Sequence, residues 1–346
     1  GSSNFTFFFL QNSPQISQFT APYSTIYGTN MITLNDVKAA AVEISSYVRR
    51  TPLWKNETLS TRLGTNVYLK MEMFQKTGSF KSRGAFNQML ARGKDALDKG
   101  VVAVSGGNFA QGVAYASRML GVDAIICMPE GTPQNYINAT RGYSATIDLS
   151  PDIQTAIIRY NDLADQGRTA LHPFDNPHQM AGAGTIALEI FEDLPEITDL
   201  VISIGGGGLI SGNTVAIKGL NPQVRVWGVE TEGAATMKTA MDAGEVVNIT
   251  PTSLAKTLGA PFVAQDALTI AQEHLEELLI VSDKQAIDAQ RLILERAKVL
   301  PELAASCTLA AAQTIKDRFG PDDHLVLLMC GGNDSVANLV NYAQMA

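Results

Sequence analysis

The nine residues Thr77-Gly78-Ser79-Phe80-Lys81-Ser82-Arg83-Gly84-Ala85 set a single lysine between an aromatic ring and a run of small residues. A lysine in such company can hold an aldehyde cofactor as a Schiff base, provided that burial or nearby positive charge lowers its pKa and frees the amine. Taken alone, Lys81 is one of 26 basic residues, and a solvated cation is the plainer reading. Three further segments change that balance: Ser105-Gly106-Gly107-Asn108-Phe109-Ala110-Gln111-Gly112, Gly205-Gly206-Gly207-Gly208-Leu209-Ile210-Ser211-Gly212 and Cys330-Gly331-Gly332-Asn333. Each follows a short apolar, β-branched run and precedes a helical pattern. Junctions of this kind gather at one edge of a parallel sheet, where α/β proteins bind ligands.

The surrounding pattern agrees. Predicted strands at 101–105, 124–128 and 145–149 alternate with predicted helices at 109–120, 133–140 and 153–166. A second set follows a proline-bounded turn at 173–177: helix 181–191, strand 200–204, the glycine loop, helix 210–219 and strand 224–229. Later come strands at 278–281 and 324–329, with helices at 283–298, 302–319 and from 336 onward. This rhythm predicts parallel crossovers in an α/β fold. At 346 residues and 45% hydrophobic content, the chain has enough material for one large or two ordinary domains.

A net charge of −8 leaves no basic footprint for nucleic acid, and no apolar run reaches the length of a membrane span. A small-molecule partner is therefore expected. Cys127, Cys307 and Cys330 form no Cys-x-x-Cys pair, which argues against a disulfide framework or zinc site and for a reducing cytoplasm. Residues 1–30, beginning Gly-Ser-Ser, read as a tag remnant plus an N-terminal extension outside the fold.

Four consecutive glycines, Gly205 to Gly208, expose backbone N–H groups at the end of a strand and the start of a helix. A phosphate fits such a place. A tight structural turn is the alternative, at a high entropic cost for four glycines. The spacing fails the dinucleotide fingerprint, because Ile210 stands where its third glycine belongs, and no Gly-Lys-Ser/Thr ending completes a Walker loop.

The order and separation of these segments, with Thr51-Pro52-Leu53 upstream and residues 181–190 between, resemble the fold-type II pyridoxal phosphate enzymes, within them the serine/threonine dehydratase and serine racemase branch. The resemblance runs from about Met31 to the C-terminus. It implies two open parallel-sheet α/β domains of the tryptophan synthase β kind, with the active site between them. A small domain at 100–172 would be inserted into a large one formed by 31–99 and 173–346. A homodimer or homotetramer is expected. Since the chain ends soon after Asn333, a C-terminal regulatory domain and its feedback inhibition are not expected.

By the same resemblance, Lys81 holds pyridoxal 5'-phosphate and takes the Cα proton, and Phe80 flanks the cofactor ring. Gly205, Gly206, Gly207, Gly208 and Leu209 hold its phosphate. Asn108 meets its phenolic oxygen; a helix N-cap is the local alternative for this residue. Ser105, Gly107, Asn108 and Phe109 line the substrate carboxylate. Cys330 faces the pyridine nitrogen, where a neutral thiol does not keep that nitrogen protonated as a carboxylate would. Glu230 and Ala234 match two positions of a cation site, but Thr236 stands at a third carboxylate position and leaves a poor oxygen cage. His172, His178, His274 and His324 have no ligand-like spacing and read as surface or cap residues.

Two departures bear on the reaction. The resembling enzymes carry Ser-Ser-Gly-Asn-His where this chain has Ser105-Gly106-Gly107-Asn108-Phe109. Glycine at 106 removes the hydroxyl that a racemase uses on the face opposite the lysine, and Phe109 makes the substrate side more apolar. The expected activity is β-elimination (dehydration and deamination) of a β-hydroxy α-amino acid, L-threonine or L-serine by default, giving a 2-oxo acid and ammonia. A β-aryl serine dehydratase is the first alternative, on account of Phe109 and the segment 255–261. An amino-acid racemase or a β-replacement synthase stands behind it.

Overall fold

The computed structural model describes residues 31–345; the tag remnant and extension read at 1–30 lie outside them. Among the described residues, ten strands form two sheets. The larger has the order β1-β2-β10-β7-β8-β9, from β1 (Leu53–Lys55), β2 (Asn66–Met71), β7 (Asp199–Ser203), β8 (Arg225–Thr231), β9 (Leu275–Val281) and β10 (His324–Met329). All of its pairs are parallel except β1 with β2. The smaller is fully parallel, in the order β5-β4-β3-β6: β3 (Val101–Val104), β4 (Ala124–Pro129), β5 (Thr146–Ser150) and β6 (Thr169–Leu171).

Central strands read as unbroken apolar runs because both faces are covered. Every residue of β3 and β7 is buried, as expected where helices pack on the two sides of a parallel sheet. The helix Lys81–Leu90 is enclosed as well, with Ser82 through Met89 all buried. Its Ala85, Phe86 and Met89 join Phe109, Val113, Ile126 and Met128 in the core around the smaller sheet.

Enclosing that helix brings Arg83 inside, at 1% exposure. Its guanidinium forks to both oxygens of Glu72 (2.8 and 2.9 Å) and both of Glu189 (2.7 and 3.0 Å). Lys70 Nζ donates to Glu189 (2.6 Å) and to the Thr51 carbonyl (2.7 Å), while the Thr51 hydroxyl donates to Glu72 at 2.6 Å. Thr185 Oγ1 accepts from Arg83 at 3.0 Å. Two acids and two bases thus neutralise one another in a place where an unpaired charge would be costly.

Removing one member of such a group leaves its partners charged and dry. Arg83→Leu is expected to lower the stability of the apoprotein by about 3–5 kcal/mol, read from urea unfolding. Burial pushes the Glu189 carboxyl up, but Arg83 and Lys70 outweigh it and hold the carboxyl below its ordinary value. Its folded pKa being depressed, the stabilisation is complete at neutral pH and is lost as pH falls below the ordinary carboxylate range toward the folded value. Glu189→Gln should therefore flatten the acid limb of the stability curve, and an unchanged limb would count against this assignment.

Candidate active site

Five chain segments meet beyond the C-terminal ends of the strands. From the larger sheet come the turns after β2 that lead to Lys81, the glycine loop after β7, and residues 330–333 after β10. From the smaller sheet comes the loop 105–107 after β3, together with the turn after β4. Backbone contacts join the turns after β2 to the segment after β10: Phe80 N–H donates to the Cys330 carbonyl (3.0 Å), Gly332 N–H to Gly78 (2.9 Å), and Ser79 pairs with Gly331 in an isolated antiparallel bridge. Gly78 has φ 74°, and a Cβ there would run into the Asn333 amide, so this crossing requires glycine.

Lys81 is the first residue of its helix. Its Nζ donates to the Pro173 carbonyl at 2.6 Å and lies 5.1 Å from the centre of the Phe80 ring and 5.7 Å from that of Phe109. Burial lowers its pKa to about 8. Phe109 is 2% exposed and belongs to the core. Its ring lies beside the lysine.

Gly207 caps the helix Gly208–Leu220 with φ 97°. A Cβ at Gly206 would meet the Phe174 ring and one at Gly207 would meet Ala267, whereas one at Gly205 would come no closer than 3.5 Å to Leu258. The first helical turn presents N–H groups that have no intrahelical partner. Glycine is therefore needed for packing at 206 and 207, and the loop still offers an anion cradle.

Asn108 is the first residue of the helix Asn108–Leu120, and Gly107 is its N-cap, which corrects the alternative of an Asn108 cap. The Asn108 amide is held at both ends: Nδ2 donates to the two oxygens of Glu302, each at 3.0 Å, and Oδ1 accepts from Asn333 Nδ2 at 2.8 Å. Glu302 was not among the residues singled out from sequence. It is buried, also accepts from Thr257 Oγ1 (3.0 Å), and burial raises its carboxyl against the lowering by Asn108 and Thr257. No local signal in the sequence marks it: Glu302 heads the helix Leu303–Thr314, in which the ten residues Leu303 to Ala312 are buried, and the first turn carries the carboxylate inside.

Cys330 is buried with its Sγ 3.6 Å from Ser203 Oγ, and burial raises its thiol far above the ordinary value, so it is neutral. Ser105 Oγ accepts from Gly107 N–H at 3.1 Å, within the loop. His172 corrects a surface assignment: it is buried against Phe174 and its Nδ1 accepts the Asp175 N–H at 2.9 Å. Burial, then the charge of Lys81, lowers its pKa to about 3. Glu230 is buried too, and its carboxylate accepts the N–H groups of Met237 (2.7 Å) and Lys238 (2.9 Å) at the start of the helix Thr236–Ala243. Thr236 Oγ1 donates to the Ala260 carbonyl at 2.8 Å, and Ala234 is buried beside that helix start. Among the described residues no group of three His, Cys, Asp or Glu is placed to hold a metal ion.

A buried lysine with a lowered pKa beside a glycine cradle and a neutral thiol is a donor set that fits a phosphorylated aldehyde. The model of the pyridoxal-phosphate dependent enzymes matches residues 44–331. The chain belongs to that family. It is 39% identical over 312 residues to the L-threonine ammonia-lyase of Thermotoga maritima, covering 88% of this chain and 77% of that one. It is 33% identical to the catabolic L-threonine dehydratase of Staphylococcus aureus, covering 89% and 91%. The solved structure of maize serine racemase superposes with a TM-score of 0.86 at 28% identity, covering 91% of this chain and 98% of that one. The protein is a pyridoxal phosphate-dependent lyase of the serine/threonine dehydratase and serine racemase branch, with the fold-type II architecture. Among the described residues no helix is long and apolar enough to cross a membrane.

Three measurements test this geometry. Since only the free amine attacks an aldehyde, the rate at which the apoprotein captures pyridoxal phosphate should rise as pH passes about 8, the pKa to which burial brings Lys81. Borohydride reduction should then leave the pyridoxyl group on Lys81, and peptide mapping to Lys70 or Lys76 would refute the assignment. In the cradle, Gly205→Ala should leave apoprotein stability within about 1 kcal/mol while weakening cofactor retention. Gly207→Ala should damage both.

Proposed function

We propose that this enzyme eliminates water from a β-hydroxy α-amino acid, L-threonine or L-serine, and that the resulting enamine, after tautomerising to the imine, takes up water again to release ammonia and a 2-oxo acid. The observation that carries the reading is Lys81, whose amine is brought close to neutrality by burial inside a site of dehydratase-like build. The threonine lyase and dehydratase relatives support the substrate class.

Bound pyridoxal phosphate supplies an electron sink that allows the Cα–H bond of an amino acid to break. The chain supplies the base and the positioning. In its uncharged form Lys81 takes the Cα proton, and the Pro173 carbonyl keeps its nitrogen in place. Phe80 would flank the ring and Asn108 would meet its phenolic oxygen, with the Asn108 amide orientation set by Glu302 and Asn333. The glycines 205–208 and Leu209 hold the phosphate through the helix N-terminus. Ser105, Gly107, Asn108 and Phe109 form the place for the substrate carboxylate, and neutral Cys330 leaves the pyridine nitrogen without a counter-charge. In support of a small domain at 100–172, all four strands of the second sheet lie between residues 101 and 171.

The test is release of 2-oxo acid and ammonia, in equal amounts, across a panel of β-hydroxy amino acids. L-Threonine and L-serine should be turned over, with Lys81→Ala lowering kcat by about 10²–10⁴-fold. An added thiol that diverts the product into a thioether would indicate β-replacement instead. Because residue 106 carries no hydroxyl, chiral chromatography should find negligible D-serine; accumulation rivalling oxo-acid formation would refute the single-base reading.

A further inference from the structure

Thr132 lies in the turn after β4, where its N–H donates to the Pro129 carbonyl at 2.9 Å. Because β3 and β4 are adjacent and parallel, with Val104 beside Cys127, this turn and the loop 105–107 leave one sheet edge together. Ser105 N–H donates to the Cys127 carbonyl at 3.1 Å and ties the two. Thr132 is 8% exposed, and its Oγ1 is buried without a hydrogen-bond partner.

That oxygen is aimed at Gly106. A Cβ placed on Gly106 would come within 2.7 Å of Thr132 Oγ1 and 3.4 Å of its Cγ2. The φ of Gly106 is outside the left-handed region, so the backbone does not demand glycine there. The threonine does. A buried hydroxyl with its hydrogen bond unmade is costly to the folded chain, and it is sustained where a ligand completes it.

We propose that Thr132 Oγ1 takes the place of the side chain missing at Gly106 and donates a hydrogen bond to the carboxylate of the bound amino acid. This rests on the amino-acid lyase reading given above. The anionic partner follows from the surroundings, since the loop opens onto the N-terminus of the thirteen-residue helix Asn108–Leu120, whose first N–H groups favour negative charge. A neutral hydroxyl with no base beside it donates rather than exchanges its proton, so the role is binding, and negligible racemisation remains expected.

The test compares the holoenzyme with Thr132→Val, which keeps the shape without the hydroxyl, and Thr132→Ser, which keeps the hydroxyl. L-Alanine, which has no leaving group, is titrated by its effect on cofactor absorption, alongside ethylamine, the same amine without a carboxylate. Thr132→Val should weaken L-alanine binding and raise the KM for L-threonine by about 10-fold or more with kcat little changed. Thr132→Ser should stay near the parent, and ethylamine should not distinguish the forms. Equal L-alanine affinity in parent and Thr132→Val, or an equal loss for ethylamine, would overturn the proposal. If the unmodified holoenzyme binds no amino acid, the lyase reading falls and this inference with it, a result evident before any substitution is made. Melting of the apoprotein gives a readout independent of activity. Gly106→Ser should lower the melting temperature and Thr132→Ala in the same chain should restore most of it; additive losses would contradict the packing on which the inference depends.

Discussion

The fork of Arg83 between Glu72 and Glu189 is the constraint around which the site is organised. Arg83 stands two residues after Lys81, on a helix enclosed along its length, so fixing its guanidinium fixes the first turn from which the lysine extends. The cluster draws its members from the strand β2 and its exit, from the segment before β1, and from the helix Pro177–Asp193. It also supplies a physical reason for two motifs that sequence alone offered only as landmarks. Thr51 is a ligand of Glu72, and Thr185 and Glu189, from the 181–190 segment, close on the guanidinium. Such a buried, charge-neutral network is weak evidence for net stability and better evidence for a fixed geometry.

Around that anchor the lysine is set by opposing influences. Dehydration favours its neutral form, while the carboxylate of Glu302 favours the charged one, and the balance lies close to neutrality. Glu302 cannot be treated as a bystander, since the same carboxylate orients the Asn108 amide and receives the Thr257 hydroxyl. One buried acid therefore links the glycine-flanked Asn108 of the smaller sheet to the lysine side of the larger. Tyr136 adds a second tie between them by donating to the Asn333 carbonyl at 2.7 Å.

From Val101 onward most elements with a clear period were legible in the sequence, whereas the helices Leu34–Ile44, Lys81–Leu90 and Gln265–His274 and the strand Asn66–Met71 went unread. The strand His324–Met329 lies where its apolar run predicted it, and the alternation at 101–166 reappears with shifts of one or two residues. The short strands Leu53–Lys55 and Thr169–Leu171 were not read, because three residues are too few to show a period. The helix beginning at Pro177 starts four residues before its expected position, since Asn176 caps it and Pro177 sits in its first turn, a signal easily taken for a loop. The stretch expected as one helix at 302–319 stops at Thr314 and continues as a separate 3-10 turn at Lys316–Arg318. In the site, glycine loops and the lysine announce themselves locally. Glu302, Ser203 and Thr132 do not, because each acquires its meaning from a neighbour far away along the chain.

The pairing of β2 with β10 joins residues 66–71 to residues 324–329, and the bridge of Ser79 to Gly331 continues that join to the edge of the lysine helix. Closing so long a loop is entropically late in folding, and topologies ruled by such contacts fold slowly. Until the tenth strand docks, Phe80 lacks its carbonyl partner and Lys81 lacks the thiol and the carboxylate that surround it. A chain caught part-way therefore carries an ordinary, hydrated, protonated lysine. Reactivity toward aldehydes is in this sense a property of the completed topology, and it serves as a chemical report that folding has finished.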